Sequence, residues 1–357
     1  MTPSHSTADH RDPLRVALLG YGVGGRKFHA PMLTTTPGLR LAAVVTTNPQ
    51  RRAAVAADLP DVAVLDDVAD VLAGGYDLAV VTTPSRNHAE LACRLVESDV
   101  ATVVDKPLAL SAAQGREVVA TARQRGVFLT VYQNRRWDAE HLTLQRLVSA
   151  GELGEVLRYE SRFERWRPDV AEEKWRETAA PEDGGGILLD LGSHVVDQAI
   201  SLWGPVHRVY AEVEARRGTA ADDEVFVALT HASGVHSHLS AGALVGAPGP
   251  RLRVLGSRGA YVCEHLDGQE EALGSGLRPD DPDWGVEAPP RWGRLVRGAQ
   301  SQAVPSERGD WPAFYRGCVA ALRDDAPPLV DPDDAVRVLQ VLDAARQSAA
   351  RGDVIRL

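Results

Sequence analysis

The segment GGGILLDLGSHVVDQ, residues 184–198, sets Asp190, His194 and Asp197 at spacings of four and three within an otherwise apolar run. On an α-helix such spacings place all three on one face. Ile187, Leu188, Leu191 and Val195 read as buried, and an ionisable group among them is costly unless it is paired or used. A carboxylate and an imidazole on one helix face can hold and move a proton, which is general acid–base chemistry. Asp197, one turn further along, reads equally as a ligand for a substrate hydroxyl and as a polar edge.

A second reactive candidate is Lys106, in VVDKPLALS. Only Lys27, Lys106 and Lys174 are lysines among the 39 basic residues. Lys106 follows a short β-branched run, and the C-terminal ends of parallel strands are where open α/β sheets bind ligands. A partly desolvated lysine can release a proton near neutral pH, which arginine cannot. A lysine snorkelling to water from a strand end accounts for the same placement.

The elements that must position these groups begin with GYGVGG, residues 20–25, which fits Gly-x-Gly-x-x-Gly between a strand and a helix. Gly20 permits the tight turn, Gly22 lets the backbone approach a pyrophosphate, and Gly25 allows close helix packing. Tyr21, Val23 and Gly24 complete the loop, and the helix N-terminus supplies amide donors. An NAD site carries an acid about 20 residues on, for the ribose 2′-hydroxyl. Here Thr46, Thr47 and Asn48 stand in its place, followed by Arg51 and Arg52. Hydroxyls with a guanidinium suit a 2′-phosphate, so NADP is expected over NAD. Decoration of a helix N-terminus is the plainer account of these arginines.

From residue 14 to Gln133 short apolar strands alternate with helical patterns, near 24–35, 49–57, 87–97 and 111–125. This rhythm predicts a parallel sheet covered by helices on both faces. Beyond it come a helix over 136–150 and longer alternating strands such as EVLRYESRFERW and EVFVALTH, which predict a largely antiparallel sheet. The expected fold is therefore α/β plus α+β, with a dinucleotide-binding domain over 13–133 and a substrate and oligomerisation domain over 134–357. Residues 267–310 read as a long loop bordering a site. A helix from Asp333 to Arg351 closes the chain and is expected to pack back on the first domain.

The net charge is −10 over 357 residues. With no basic stripe, this argues against a nucleic-acid binder. No apolar run reaches the roughly 20 residues that span a bilayer, and the opening MTPSHSTADHRDP lacks a signal-like core, so a cytoplasmic protein without membrane attachment is expected. Cys93, Cys263 and Cys318 form no CxxC pattern and read as small hydrophobes. No third ligand accompanies Asp190 and His194 at metal-site spacing, so no metal is expected.

Taken together, GYGVGG with KFHAP, TTPSRNH at 82–88, DKP at 105–107, NRRWD at 134–138 and the Asp190–His194 segment resemble the Gfo/Idh/MocA oxidoreductases. The likeness spans nearly the whole chain and is strongest toward the NADP-dependent scyllo-inositol dehydrogenase type. RWRPDV at 165–170 and the stretches DGQEEAL and DPDWG add to it. The resemblance implies a Rossmann domain joined to an open mixed, mainly antiparallel sheet, with substrate between them. It implies Lys106, Asp190 and His194 as catalytic residues. His194 or Lys106 is then expected to take the hydroxyl proton; the preferred assignment gives it to His194, with Lys106 polarising the oxygen and Asp190 fixing the histidine or lysine geometry.

Thr82, Thr83, Pro84, His88, Asp105, Lys106 and Arg135 then join the glycine loop at the cofactor. Tyr132, Asn134, Trp137, Arg165, Trp175 and Asp197 are candidates to line the substrate cleft, and His29 fits either a place near the cofactor or helix packing. Asp105 departs from the family's Glu-Lys-Pro motif by one methylene. The implied activity is hydride transfer between NADP(H) and a secondary alcohol of a cyclic polyol or sugar, such as scyllo-inositol. An NADPH-dependent aldose or ketosugar reductase and a non-catalytic nucleotide-binding regulator are the alternatives. A homodimer or homotetramer is expected.

Overall fold

The computed structural model describes residues 12–357; the stretch read above for a signal sequence lies almost wholly outside the described residues. Six strands form the first sheet: β1 (Leu14–Leu19), β2 (Leu39–Val45), β3 (Ala63–Leu65), β4 (Leu78–Val81), β5 (Ala101–Asp105) and β6 (Leu129–Tyr132). All pair in parallel, in the order β3-β2-β1-β4-β5-β6. The order reverses between β1 and β4, and this places a crevice at their carboxyl ends. Every residue of β4 is buried, as a strand covered on both faces requires.

The two faces of this sheet belong to different cores. Ala17 and Leu19 of β1 face Leu95, Val118 and Leu339. Val16 and Leu18 face Met32 and Leu33, together with Trp311, Phe314, Tyr315, Cys318 and Val330 from far along the chain. One cover of the first sheet is thus the helix Pro312–Asp324, which sequence reasoning left undescribed.

The second sheet has nine strands: β7 (Val156–Glu164), β8 (Val206–Glu214), β9 (Glu224–His231), β10 (His236–Gly242), β11 (Leu252–Gly256), β12 (Gly259–Cys263), β13 (Arg294–Arg297), β14 (Gln300–Ala303) and β15 (Ile355–Arg356). Their order is β14-β13-β12-β11-β7-β10-β9-β8-β15. Only β7 and β10 run parallel; the other pairs are antiparallel. β9 buries alternate residues, Val225, Val227 and Leu229, toward the helices beneath it.

The helix Pro332–Arg351 lies against β8 and also against the helix Ala112–Arg125. A side chain at Gly115 would start 2.8 Å from Leu339 Cδ1, so glycine there permits the close crossing. The Ala112 amide donates to Asp343 Oδ2 at 2.9 Å, satisfying one free donor of that helix N-terminus.

Residues 267–310 are not one loop. They contain the short helix Gln269–Gly274 and the hairpin β13–β14, closed by Gly298 at φ +60°. The two-residue Gly-Ala turn between RLVR and QSQA was the available signal. Among the described residues no helix is long and apolar enough to cross a membrane.

Candidate active site

The glycine loop follows β1. Gly20 takes φ +103°, and a side chain at Gly25 would start 2.2 Å from the Gly20 carbonyl oxygen, so both positions require glycine. The Thr82 hydroxyl sits within 3.0 and 2.9 Å of the Leu19 and Gly20 carbonyls and locks the loop to β4. The Tyr21 side chain braces the loop: its hydroxyl donates to Asp58 at 3.1 Å, and burial followed by Asp58 pushes the phenol above its ordinary range. Arg26 grips the same carboxylate at 2.7 Å.

Beyond β2 the candidate residues separate. The Asn48 side chain caps the helix Pro49–Asp58 by accepting from the Arg51 amide at 3.0 Å. Arg52 is engaged by the Thr46 carbonyl and Asp66. Arg51 has no ion pair among the described residues, and its guanidinium lies 3.7 Å from where a side chain on Gly22 would begin. The cradle left by Gly22, with the Arg51 guanidinium at its rim, fits a nicotinamide dinucleotide.

At the end of β5, Lys106 Nζ donates to Asp190 Oδ1 at 2.7 Å and to the Asp190 carbonyl at 2.6 Å. Asp190 lies in a wide, π-helical turn, Leu188–Gly192, which runs into the α-helix Ser193–Trp203. The segment is therefore not the uniform α-helix expected, and such wide turns concentrate at functional sites. A second one, Gly24–His29, follows the glycine loop. Burial alone pushes the Asp190 carboxyl up; Lys106, and Arg176 at 3.6 Å, outweigh it and hold the group at about 2.

His194 is buried in turn. Burial first, then the positive charges of Lys106, Arg135, Arg251 and Arg165, hold its imidazole well below the usual histidine range. It is thus a neutral base with an uncommitted lone pair. Its Nδ1 has no hydrogen-bond partner among the described residues, and Asp190 makes no hydrogen bond to it. The aspartate therefore orients the lysine and not the histidine.

Two expected cleft residues have other work. Asp197 accepts from Arg136 Nε at 2.9 Å and Nη2 at 2.7 Å, so both carboxylate oxygens are engaged in a buried, two-pronged ion pair, which Asp334 joins at 3.2 Å. Tyr132 is 2 % exposed and sits among aromatic rings, 4.1 Å from His29 and 4.9 Å from Phe314 between centroids. Both side chains are buried. His88, expected at the cofactor, ties two loops together: its ring nitrogens lie 2.7 Å from the Pro107 carbonyl and 2.8 Å from that of Thr83. Pro84 begins the turn Ser85–Asn87 that delivers it.

Arg135 is buried between Asp138 at 3.2 Å and Glu270 at 3.3 Å, and Glu270 also meets Lys27 at 3.2 Å. Glu270 links the two domains, and nothing in its local spacing marks it. A hollow of about 670 Å³ opens beside it, lined in part by Lys27, Leu266 and Arg291, and reaches neither Lys106 nor His194. Arg165 is half-buried with no side-chain partner among the described residues. Burial and Arg167 push its guanidinium down, opposed by Asp190 and Glu270. Trp175 carries the Arg176 guanidinium 4.6 Å above its ring and so connects to Asp190. Asn134 is buried at the start of the tight turn Asn134–Trp137, and Trp137 is half-buried against Phe314.

A glycine loop and a lysine at the crevice of a parallel sheet, with a carboxylate and a neutral imidazole from a second domain, define an oxidoreductase that uses a nicotinamide dinucleotide. The chain belongs to the Gfo/Idh/MocA oxidoreductase family: residues 14–133 match the family's NAD-binding Rossmann fold and residues 145–357 its C-terminal alpha/beta domain. It is 32% identical to the scyllo-inositol 2-dehydrogenase (NADP(+)) IolW of Bacillus subtilis, over 97% of this chain and 96% of that one. It is 37% identical to the uncharacterized oxidoreductase YdgJ of Escherichia coli K12, over 95% and 97% of the two chains. The solved structure of Bacillus subtilis yvaA superposes with a TM-score of 0.90 at 31% identity, covering 97% of this chain and 99% of that one.

Proposed function

We propose that the protein moves a hydride between NADP(H) and a secondary alcohol of a cyclic polyol or sugar. The observation that carries the reading is the meeting of Lys106, Asp190 and His194 at the mouth of the dinucleotide crevice. In the oxidative direction His194 takes the proton of the substrate hydroxyl, since its imidazole is held neutral and has a lone pair free to accept it. Lys106, held by Asp190, places positive charge at the oxygen as it becomes an alkoxide. The dinucleotide, when bound, supplies the hydride acceptor at its nicotinamide ring. Arg51 supports NADP over NAD, because a 2′-phosphate offers it an ion-pair partner that it lacks among the described residues.

The likeness to a scyllo-inositol 2-dehydrogenase supports a cyclic polyol. A second copy of the chain is the partner we expect on the outward face of the nine-stranded sheet, where Phe226, Ala228 and Thr230 alternate with buried neighbours. The test is absorbance at 340 nm with NADP⁺ or NAD⁺ and a panel of inositols and aldoses, with Lys106→Ala as control. Turnover selective for NADP⁺ and lost in the variant is expected; tight dinucleotide binding with no turnover in either direction overturns the catalytic reading.

A further inference from the structure

His29 ends the wide turn Gly24–His29 and has no exposed surface. Its Nδ1 lies 2.6 Å from the hydroxyl of Tyr315, which is also fully buried. Burial, then Tyr132, Cys318 and Asp105, raise the Tyr315 phenol well above its ordinary range, so it remains an O–H. On the other side of the ring, Nε2 lies 3.6 Å from Asp105 Oδ1 and has no hydrogen-bond partner among the described residues. Were the only ring proton on Nδ1, Nε2 would turn a lone pair toward a carboxylate. The arrangement that suits both ends has Tyr315 donating to Nδ1 and Nε2–H aimed at Asp105. Tyr132 packs on the ring at 4.1 Å and fixes its plane.

Asp105 stands at the meeting point of the site. Its Oδ1 accepts the backbone N–H of Lys106 at 2.8 Å. Its Oδ2 lies 3.0 Å from where a side chain on Gly24 would begin, at the inner wall of the dinucleotide loop. Burial pushes its carboxyl up, and His29 first, then Lys106 and His88, more than reverse this. An apolar ring at position 29 would fill the same space with no buried nitrogen to satisfy, so packing alone does not account for a histidine there.

We infer that Tyr315 and His29 are positioning residues for the dinucleotide, holding the Asp105 carboxylate against Gly24 as acceptor for a hydroxyl of the bound cofactor. The same relay ties that carboxylate, through Oδ1, to the peptide that carries Lys106. It rests on the dinucleotide reading of the glycine loop and extends it to residues that touch neither the cofactor nor the substrate.

The test is fluorescence titration of NADPH into the wild-type protein and the variants His29→Gln, Tyr315→Phe, Asp105→Asn and His29→Gln/Asp105→Asn. His29→Gln is expected to weaken NADPH about tenfold and Tyr315→Phe, which removes a single oxygen, about threefold. Because His29 acts through Asp105, the double variant is expected to bind within about twofold of Asp105→Asn alone. Histidine ¹⁵N resonances of the unliganded protein are expected to show His29 protonated at Nε2, which a packing role does not require. Multiplicative losses in the double variant, or a proton on Nδ1 only, overturn the relay. Wild-type protein that binds NADPH no better than either single variant defeats the relay alone; wild-type protein that binds neither NADPH nor NADH defeats the dinucleotide reading with it.

Discussion

Lys106 and Asp190 are joined by two hydrogen bonds, one to the side chain at 2.7 Å and one to the backbone carbonyl at 2.6 Å. The backbone contact fixes the ammonium even when the carboxylate is neutralised. Lys106→Ala is therefore expected to lower kcat by about 10²–10⁴, and Asp190→Asn by a smaller factor of about 10–10². Steady-state rates at saturating cofactor check both. An Asp190→Asn loss larger than that of Lys106→Ala would mean the carboxylate acts on substrate directly.

The imidazole of His194 is held down by burial and then by Lys106. A base with a lowered value stays free as pH falls, so oxidation is expected to persist through pH values where an ordinary histidine, near 6.5, becomes protonated. In Lys106→Met the strongest neighbouring charge is gone and the His194 titration, followed by NMR, is expected to move upward. No movement would place the lysine charge outside the histidine's field.

Arg51 has no ion-pair partner among the described residues, whereas Arg52 is taken by Asp66. Arg51→Ala is expected to raise KM for NADP⁺ by about 10–100-fold and to change that for NAD⁺ little. Arg52→Ala is expected to act on stability more than on cofactor choice. The ratio of kcat/KM for the two dinucleotides is the measurement.

Asp197 and Arg136 form a buried pair. Removing one partner strands the other charge, so Asp197→Ala is expected to cost about 3–5 kcal/mol in denaturant unfolding. KM for substrate in the surviving folded protein is expected to stay near wild type. A change in KM without loss of stability would return Asp197 to the cleft.

Glu140 is buried beside Arg251, at 3.3 Å, and near Asp138. Burial, then Asp138, raise its carboxyl from 4.5 to about 8. The folded protein holds a proton there that the unfolded chain has already released, so this contribution to stability is complete below 4.5 and is lost as pH rises through 8. Glu140→Gln, which mimics the protonated form, is expected to stabilise by about 1 kcal/mol or more near pH 8.5 and by little near pH 5. Equal effects at both values would show that Glu140 is ionised throughout.

The glycine loop, Lys106 and the Asp190–His194 segment were legible because each is a local pattern attached to one element. Asp197 was not: its spacing suggests the site, but its partner Arg136 lies 61 residues away and no local rule pairs them. Tyr132 ends β6 at the crevice rim, where its position suggests a ligand; the rings of His29, Phe314 and Tyr315, which enclose it, come from both ends of the chain. Arg52 and Arg51 are indistinguishable in sequence and separate only through Asp66. The first sheet was readable from its strand rhythm, whereas part of the cover on one face was not, since the residues 311–330 that supply it follow a different sheet.

That cover has a bearing on synthesis. β6 ends at Tyr132, roughly 180 residues before Trp311, Phe314 and Tyr315 arrive to close the face bearing Val16 and Leu18; the Thr130 hydroxyl then donates to the Val330 carbonyl at 2.7 Å. At ribosomal speeds one side of the emerging sheet, covered so far by Met32, Leu33 and Val55, lacks the rest of its apolar cover for about ten to forty seconds. Nascent chains at this stage offer chaperones a parallel sheet with one face only partly covered. A coenzyme meets a finished pocket only when residues near 330 have left the exit tunnel.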